Sequence, residues 1–208
     1  MQTYTSLKAS ISSWMARDDF TDANLDDFID IAEAKVATRL RLTAQETSFT
    51  GTLTAGASSV LLPSDFLELR AIYRDGSPQR PLEYVTPEQL NNVANTTRAP
   101  NLYSIVGSGG DKYLTFAGPS DNGYTLIGKY YARFTALSGS NTSTWLTTNY
   151  PFVMLSAACV AASQFIMDDA KEQAWANRFE AECTALEASD ESGKYGPVPT
   201  MRSERAAW

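Results

Sequence analysis

The hydrophobic period of the chain changes twice, and this limits the folds that it can adopt. Apolar residues recur every three or four positions up to about residue 40, alternate as in strands from Thr47 to Phe134, and return to a helical period after Tyr150. The terminal helices are amphipathic and have no other partner, so we expect them to pack together. The sequence therefore predicts an α+β fold, in which a bundle of N- and C-terminal helices carries an inserted antiparallel β module.

The first segment contains two predicted helices. Thr3 or Thr5 caps the first helix, which Asp18 and Asp19 end, and the second helix begins near Asp22. Each helix has one apolar face, which predicts an antiparallel pair. The apolar faces consist of Tyr4, Leu7, Ile11, Trp14 and Met15, and of Leu25, Phe28, Ile29, Ala32, Val36 and Leu40.

The central segment has the pattern of an all-β module. Residues 48–54 and 58–63 flank Ala55-Gly56-Ala57, which predicts a hairpin. Thr86 as N-cap, Pro87 at the first helical position and Gln89 in a capping box predict a short helix near residues 86–95. Further strands are predicted at residues 67–74, 82–85, 102–106, 113–117 and 124–134.

The apolar run Phe152–Met167 predicts a buried helix, because it is shorter than the roughly 20 residues that span a bilayer and is interrupted by Ser156 and Ser163. A break in the helix is predicted near Asp168 and Asp169, because an acidic pair suits the N-terminus of a further helix. The expected organisation is residues 1–46 and 138–192 for the bundle, 47–137 for the β module, and 193–208 for an extended tail.

The distribution of charge excludes tight nucleic-acid binding. The net charge is −7, and the acidic side chains are concentrated in the terminal helices: residues 1–33 carry seven against two basic ones, and residues 165–191 carry eight against two. Without a cluster of Lys and Arg there is little phosphate neutralisation to drive binding. The chain also has no histidine, the commonest general acid or base near neutral pH.

Sequence motifs for metal binding, phosphate binding or catalysis are incomplete in this chain. Residues 22–33 match a calcium loop in part, but Asp27 stands where the sharp turn needs Gly and the segment has a helical apolar face. Residues 107–112 resemble a phosphate loop, but a strand follows Lys112, so a hairpin turn is expected. Asp168, Asp169 and Glu172 suit a helix N-terminus, and Cys159 and Cys183 suit a core. We predict no catalytic residue, no cofactor and no metal.

The tail after residue 192 carries aromatic and basic side chains but no periodicity. Its composition alone leaves two alternatives open, a frayed terminus and an arm that docks onto another molecule. The docking alternative assigns the contact to Tyr195, Pro197, Pro199, Met201, Arg202, Arg205 and Trp208.

Several motifs in a fixed order resemble one family. They include Arg17-Asp18-Asp19, Leu62-Pro63-Ser64-Asp65-Phe66, Pro81-Leu82-Glu83-Tyr84-Val85 and Tyr130-Tyr131-Ala132, and they extend over nearly the whole chain. In these motifs the chain resembles the portal-proximal head-tail adaptor, or connector, proteins of tailed bacteriophages.

The resemblance implies a structural virion protein at the head-tail junction, assembled in the host cytoplasm. It implies a homo-oligomeric ring, commonly of twelve subunits, with the portal protein above and a tail or nozzle protein below. Double-stranded DNA passes through this ring during genome ejection without tight binding, and no membrane is involved. An acidic channel or ring face would repel the phosphates of that DNA. The candidate residues for it are Asp26, Asp27, Asp30, Glu33, Glu172 and Glu180.

Two other functions fit parts of the sequence. The Tyr-rich strand at residues 124–134 suits the stacking surface of a tail-associated carbohydrate- or receptor-binding module, with Tyr130, Tyr131 and Phe134 exposed. A hydrolase that uses Asp or Glu carboxylates is the remaining alternative, although nothing in the sequence places two of them around one cleft.

Overall fold

The computed structural model describes residues 2–93 and 95–194. Within this part of the chain the fold is α+β, as the sequence predicts. The residues divide into two units, a helical bundle with residues up to Ala44 and from Phe134 onward, and a β module with Gln45–Arg133. The bundle contains the helices α1, α2, α4, α5 and α6, which are Tyr4–Met15, Asp22–Arg39, Trp145–Asn149, Pro151–Phe165 and Asp169–Lys194.

The bundle is built around α5. Every residue of this helix from Val153 to Ser163 is buried, and a helix that is buried on all sides belongs to the centre of a core. The hydroxyls of Ser156 and Ser163 donate to the carbonyls of Val153 and Cys159, at 3.0 and 2.8 Å, so they bring no unpaired polar group into the core. The prediction of a buried helix at this position is confirmed.

The neighbouring helices each bury one stripe against this core. The stripe of α6 is narrow and consists of Trp175, Phe179, Cys183 and Leu186. The other faces of α6 are largely exposed from Asp169 to Gly193. The stripes of α1 and α2 consist of Leu7, Ile11 and Met15, and of Leu25, Phe28, Ile29, Ala32, Val36 and Ala37.

The helix ends follow from local hydrogen bonds. Thr3 caps α1 in a capping box, and the predicted cap is thus confirmed. The prediction that Asp18 and Asp19 end this helix was wrong, because Ala16 adopts the left-handed conformation and closes the helix after Met15. At the predicted break, the Asp168 carboxylate accepts from the Lys171 amide at 3.0 Å and α6 begins at Asp169.

Over residues 45–93 and 95–133, the β module consists of eight strands in two four-stranded sheets. The order is β1-β8-β3-β4 in one sheet and β2-β7-β6-β5 in the other. The strands β1 to β8 are Glu46–Leu53, Ser59–Leu61, Phe66–Arg74, Arg80–Pro81, Glu83–Tyr84, Leu102–Ser108, Asp111–Phe116 and Tyr124–Ala132. A short helix, α3, spans Pro87–Asn92, and its predicted capping box with Thr86 and Gln89 is confirmed.

Two features of the strand pairing differ from the predictions. The predicted hairpin around Gly56 was wrong: the chain does turn there, with φ of +82° at Gly56, but β1 pairs with β8 and β2 pairs with β7. The flanking strands thus belong to different sheets. The module is also not wholly antiparallel, because β5 and β6 are parallel.

Aromatic rings fill the core between strands of the first sheet. The Tyr130 ring stacks on Phe66 with centroids 5.6 Å apart and meets the edge of Phe49 at 5.8 Å. The Tyr130 hydroxyl donates to the Asp65 carboxylate at 2.9 Å. Phe49 lies over Gly128 on the paired strand, where an added Cβ would overlap its ring.

Candidate functional site

The acidic side chains on α2 have two kinds of environment. Asp26 accepts a hydrogen bond from the Tyr4 hydroxyl and pairs with the Lys8 ammonium, which ties α1 to α2. The hydrogen bond from Lys8, followed by that from Tyr4, lowers the pKa of the Asp26 carboxyl. Asp27 and Asp30 lie on the exposed side of the helix instead.

The remaining acidic candidates make contacts inside the bundle. Glu33 accepts from the Leu137 amide at 2.7 Å and holds the segment that follows the β module. Glu172 accepts from the Gln164 side chain at 2.7 Å, across the turn between α5 and α6. Glu180 pairs with the Arg39 guanidinium at 2.9 Å. Most of the six predicted positions thus have partners in the bundle, and Asp27 and Asp30 are the residues that face solvent on one helix.

A group of ionic contacts fastens the second half of α6. Arg39 contacts Glu187 at 2.6 Å in addition to Glu180. The Asp190 carboxylate accepts from the amide and the hydroxyl of Thr43, at 3.0 and 3.1 Å, next to the start of the β module. No sequence pattern indicates these contacts, because they join residues more than 140 positions apart.

Large apolar side chains are exposed on the bundle where the sequence predicted a core. Trp14 is 53% exposed and Phe165 is 57% exposed, although both follow the apolar period of their helices. Met167, in the turn between α5 and α6, is 89% exposed. Exposed apolar side chains close to one another are typical of contact surfaces. The signal for them in the sequence was only the position of Phe165 and Met167 at the end of an apolar run.

A second apolar surface lies near the start of α5. It is a groove of about 290 Å³ lined by Gln2, Ser6, Pro151, Phe152 and Leu155. The Phe152 ring, which lines the groove, also meets the edge of the Trp14 indole, with centroids 5.8 Å apart.

The tyrosine strand β8 does not form the predicted stacking surface. Tyr130 is only 4% exposed and lies in the core of the β module. Phe134 packs against the core of the bundle, and Tyr131 is half-buried. A platform for sugar rings needs exposed aromatic faces, so these residues do not provide one.

The structure assigns ordinary structural positions to the incomplete motifs. Residues 22–33, the partial calcium loop, are helical from Asp22 onward. Residues 107–112 form the end of the β6–β7 hairpin, as predicted, and its turn has Gly109 and Gly110 in the left-handed region. In the described ranges no group of three or more His, Cys, Asp or Glu side chains is placed to hold a metal ion. Burial raises the pKa of the Cys159 and Cys183 thiols to about 12.

One comparison with known proteins decides the class of this chain. The model of the SU10 adaptor protein family matches residues 2–201. The chain belongs to the SU10 adaptor protein family. It is therefore a structural adaptor protein of a bacteriophage virion, in agreement with the resemblance noted in the sequence. No curated protein matches the chain.

For this SU10 adaptor, the match also reaches part of the predicted tail. Residues Tyr195, Pro197, Pro199 and Met201 fall within the matched range, whereas Arg202, Arg205 and Trp208 follow it. All of these residues lie outside the described part of the structure. The described chain is helical up to Lys194, so the tail expected from residue 193 begins no earlier than Tyr195.

The family match and the described structure also bear on the predictions about catalysis and about the membrane. Proteins that serve as structural adaptors in virions are typically not enzymes. Among the helices in residues 2–93 and 95–194, none combines the length and the apolar character that crossing a bilayer requires.

Proposed function

We propose that this SU10 adaptor is a head-tail adaptor that forms a ring beneath the portal and joins the capsid to the tail. The ring has twelve subunits, receives the portal protein above and a tail or nozzle protein below, and continues the channel for the genome. The protein has no catalytic role. The observation that carries this proposal is the family match over residues 2–201, because it assigns an adaptor role to almost the whole chain and not to one domain of it.

Residues 195–208 form the arm that docks onto the portal. Their composition supports this role, because Tyr195, Arg202, Arg205 and Trp208 are of the types that contribute most to interface energies. The position of the arm supports it as well. The contacts of Arg39 with Glu187 and of Thr43 with Asp190 fix the second half of α6. An arm that follows Lys194 is therefore attached to a helix that is anchored in the bundle.

Truncation after Lys194 tests the docking arm. We expect the shortened protein to keep the melting temperature of the full chain, because the described core residues all precede the cut. Binding to portal rings of the same phage should be lost in a pull-down or in native mass spectrometry. Unchanged binding would exclude the arm as the docking element.

Single substitutions in the arm sharpen this test. Trp208→Ala should weaken portal binding by about 2 kcal/mol or more, which is about 30-fold, if the indole is an anchor in a pocket. Arg205→Ala serves as the comparison, since a charge at the rim of an interface contributes less and its effect falls with added salt. Equal and small effects of the two substitutions would reject the anchor.

The acidic face of α2 lines the channel or faces it in the ring. Asp27 and Asp30 suit this role because they are exposed, so their charges act on solvent and on passing DNA. Fixed negative charges at a channel wall repel phosphates and keep the genome from adhering.

Two double variants, each of which removes two negative charges, test the channel face. Asp27→Asn with Asp30→Asn should increase the affinity of assembled rings for double-stranded DNA at low salt, measured by a filter or mobility assay. Glu83→Gln with Asp111→Asn removes the same charge from exposed positions in the β module and is the matched control. The channel assignment fails if both double variants bind DNA equally.

A further inference from the structure

One Asn-Gly pair, Asn122-Gly123, lies in the connection between β7 and β8. Both residues are exposed, and every other asparagine of the chain is followed by a residue with a side chain. The backbone nitrogen after an asparagine can attack the side-chain carbonyl carbon, Cγ, and close a five-membered ring. Because glycine has no Cβ, its nitrogen is the least hindered nucleophile for this reaction. The pair is therefore the position in the chain where the ring closes most easily.

The two reacting groups are not engaged in other hydrogen bonds. Within residues 2–93 and 95–194, the Asn122 carboxamide makes no hydrogen bond and the Gly123 amide donates none. Asn141, in the polar loop before α4, is the contrasting case, because its side chain donates to the carbonyls of Thr135 and Ala136, at 3.2 and 2.7 Å. The same reaction at Asn141 requires that these hydrogen bonds break first.

A buried hydroxyl acts on the peptide group that joins the pair. Ser120 is only 3% exposed, and its Oγ donates to the Asn122 carbonyl oxygen at 2.7 Å. This oxygen belongs to the same peptide group as the Gly123 nitrogen. When the nitrogen loses its proton, the negative charge spreads onto the oxygen, where a hydrogen-bond donor stabilises it. Ser120 is itself held in place, because its amide donates to the Ala57 carbonyl at 2.9 Å.

We propose that Asn122 is a site of spontaneous deamidation and that the Ser120 hydroxyl promotes it. The Gly123 nitrogen gives its proton to solvent and attacks Asn122 Cγ. A bond forms between this nitrogen and Cγ, the bond between Cγ and Nδ2 breaks, and ammonia leaves with a proton from solvent. Water then opens the succinimide ring at either carbonyl and leaves aspartate or isoaspartate at this position. The net change is the addition of water and the loss of ammonia, without oxidation or reduction.

The reaction changes the chain just before a central strand of one sheet. β8 pairs with both β1 and β3, and its first residue, Tyr124, pairs with Leu53. The next residue, Thr125, accepts a hydrogen bond from the Asp75 amide at 2.8 Å. The new carboxylate follows Asp121 directly, and isoaspartate also lengthens the main chain by one carbon atom. We therefore expect isoaspartate to disturb the pairing at this end of β8, whereas aspartate changes only the charge.

Incubation of the purified full-length protein at neutral and at mildly alkaline pH tests the site. Peptide mass spectrometry should show the mass gain of an amide that becomes a carboxylic acid at Asn122, with separate aspartate and isoaspartate forms. The rate should rise with pH, because a larger fraction of the Gly123 nitrogen is deprotonated. It should exceed the rate at Asn141 by about tenfold or more, a difference of about 1.4 kcal/mol in the barrier. Equal rates at Asn122 and Asn141 would overturn the proposal.

Gly123→Ala tests the identity of the nucleophile. Nothing lies within 4 Å of the added Cβ, so the variant should keep the melting temperature of the natural chain. The new methyl group hinders the nitrogen, and deamidation at Asn122 should slow by about tenfold or more. An unchanged rate in this variant would show that the Gly123 nitrogen is not the attacking atom.

Ser120→Ala tests the contribution of the hydroxyl. Loss of the donor to the Asn122 carbonyl should slow deamidation about three- to tenfold, the factor that one hydrogen bond provides. The rate at Asn141 should stay unchanged, because that loop does not contact Ser120. A turn that merely became looser would react faster, so an equal or higher rate at Asn122 would exclude the hydroxyl from the reaction.

The effect on β8 is measured by comparing aged protein with Asn122→Asp. This variant has the new charge but the natural length of main chain, and it should unfold at nearly the same urea concentration as the natural protein. Aged protein that contains isoaspartate should unfold at a lower urea concentration, followed by circular dichroism. If aged protein and Asn122→Asp have equal midpoints, the longer main chain does not disturb the strand.

Discussion

The helical bundle and the β module differ in which parts of the chain build them. The β module is one continuous segment, Gln45–Arg133, whereas the bundle combines both ends of the described chain. Contacts in the bundle therefore join distant residues, such as Arg39 with Glu187 and Thr43 with Asp190. During synthesis the module is complete once Arg133 has been made, but the bundle must wait for α5 and α6. The order of folding thus follows from the position of the insertion.

The two units also differ in their intrinsic probes of unfolding, which are cysteine thiols and tryptophan side chains. Both cysteines and all four tryptophans lie outside residues 45–133, so thiol reactivity and indole fluorescence report on the bundle and its tail and not on the module. The chain thereby allows unfolding of the two units to be followed separately without added labels.

The largest expected effect comes from removing core volume in one unit at a time. Ile29→Ala in the bundle and Leu114→Ala in the module both truncate side chains with no exposed surface, which costs about 2–5 kcal/mol each. Ile29→Ala should accelerate thiol labelling of Cys159 and Cys183 by about 100-fold, because about 3 kcal/mol shifts an opening equilibrium by that factor. Leu114→Ala should leave the labelling rate unchanged while lowering stability by far-UV circular dichroism. If both variants accelerate labelling equally, the units unfold as one.

A smaller effect is expected where two strands of the module meet. Gly128→Ala should cost about 1–3 kcal/mol, because the new methyl group overlaps the Phe49 ring on the neighbouring strand. Gly123→Ala is the control, since nothing lies within 4 Å of its added Cβ. Urea denaturation followed by circular dichroism measures both.

The double variant Phe49→Ala with Gly128→Ala, together with the two single variants, gives a double-mutant cycle. If the overlap is the cause, the second substitution should cost less in the Phe49→Ala background than in the natural chain. If the losses of stability from the two substitutions are additive, the cost of Gly128→Ala has another cause, for example in the backbone of β8.

The smallest effect concerns the ionic link between α1 and α2. The pKa of Asp26 is lowered below its ordinary value of 3.8, so its contribution to stability is complete above that value and is lost as the pH falls through the lowered pKa. Asp26→Asn should therefore cost up to about 1 kcal/mol at pH 7, and this cost should shrink as the pH falls below 3.8. Asp27→Asn, at the exposed neighbouring position, should change stability little across this pH range. A pH-independent effect of Asp26→Asn would assign it to packing or to the neutral hydrogen bond with Tyr4.

The sequence predicted those features that depend on a few neighbouring residues. The caps at Thr3 and Thr86, the break before Asp169 and the β6–β7 turn are each set by side chains within three or four positions. The buried α5 was predictable for the same reason, since its apolar run is uninterrupted by charge from Phe152 to Met167.

Features that depend on distant partners were missed. The pattern around Gly56 correctly indicated two strands and a turn, but it contained no information on the sheet that each strand would join. The helical period of Trp14 and Phe165 indicated burial, yet neither residue meets enough of the bundle to be covered. The short helix α4 was not predicted, although Thr144 caps it in a capping box. In the candidate site, the partners of Asp26, Glu33 and Glu180 came only from the tertiary structure.

The narrow buried stripe of α6 has a consequence for how this protein diversifies. Stability depends on that stripe and on the ionic contacts of Glu180, Glu187 and Asp190, so the remaining outward positions of the helix are free to change in size and charge at little cost to the fold. Selection for a new neighbour in the virion can act there without opposing selection for folding. The same faces are suitable positions for fluorophores or spin labels, which makes α6 a practical place from which to observe the adaptor in an assembled particle.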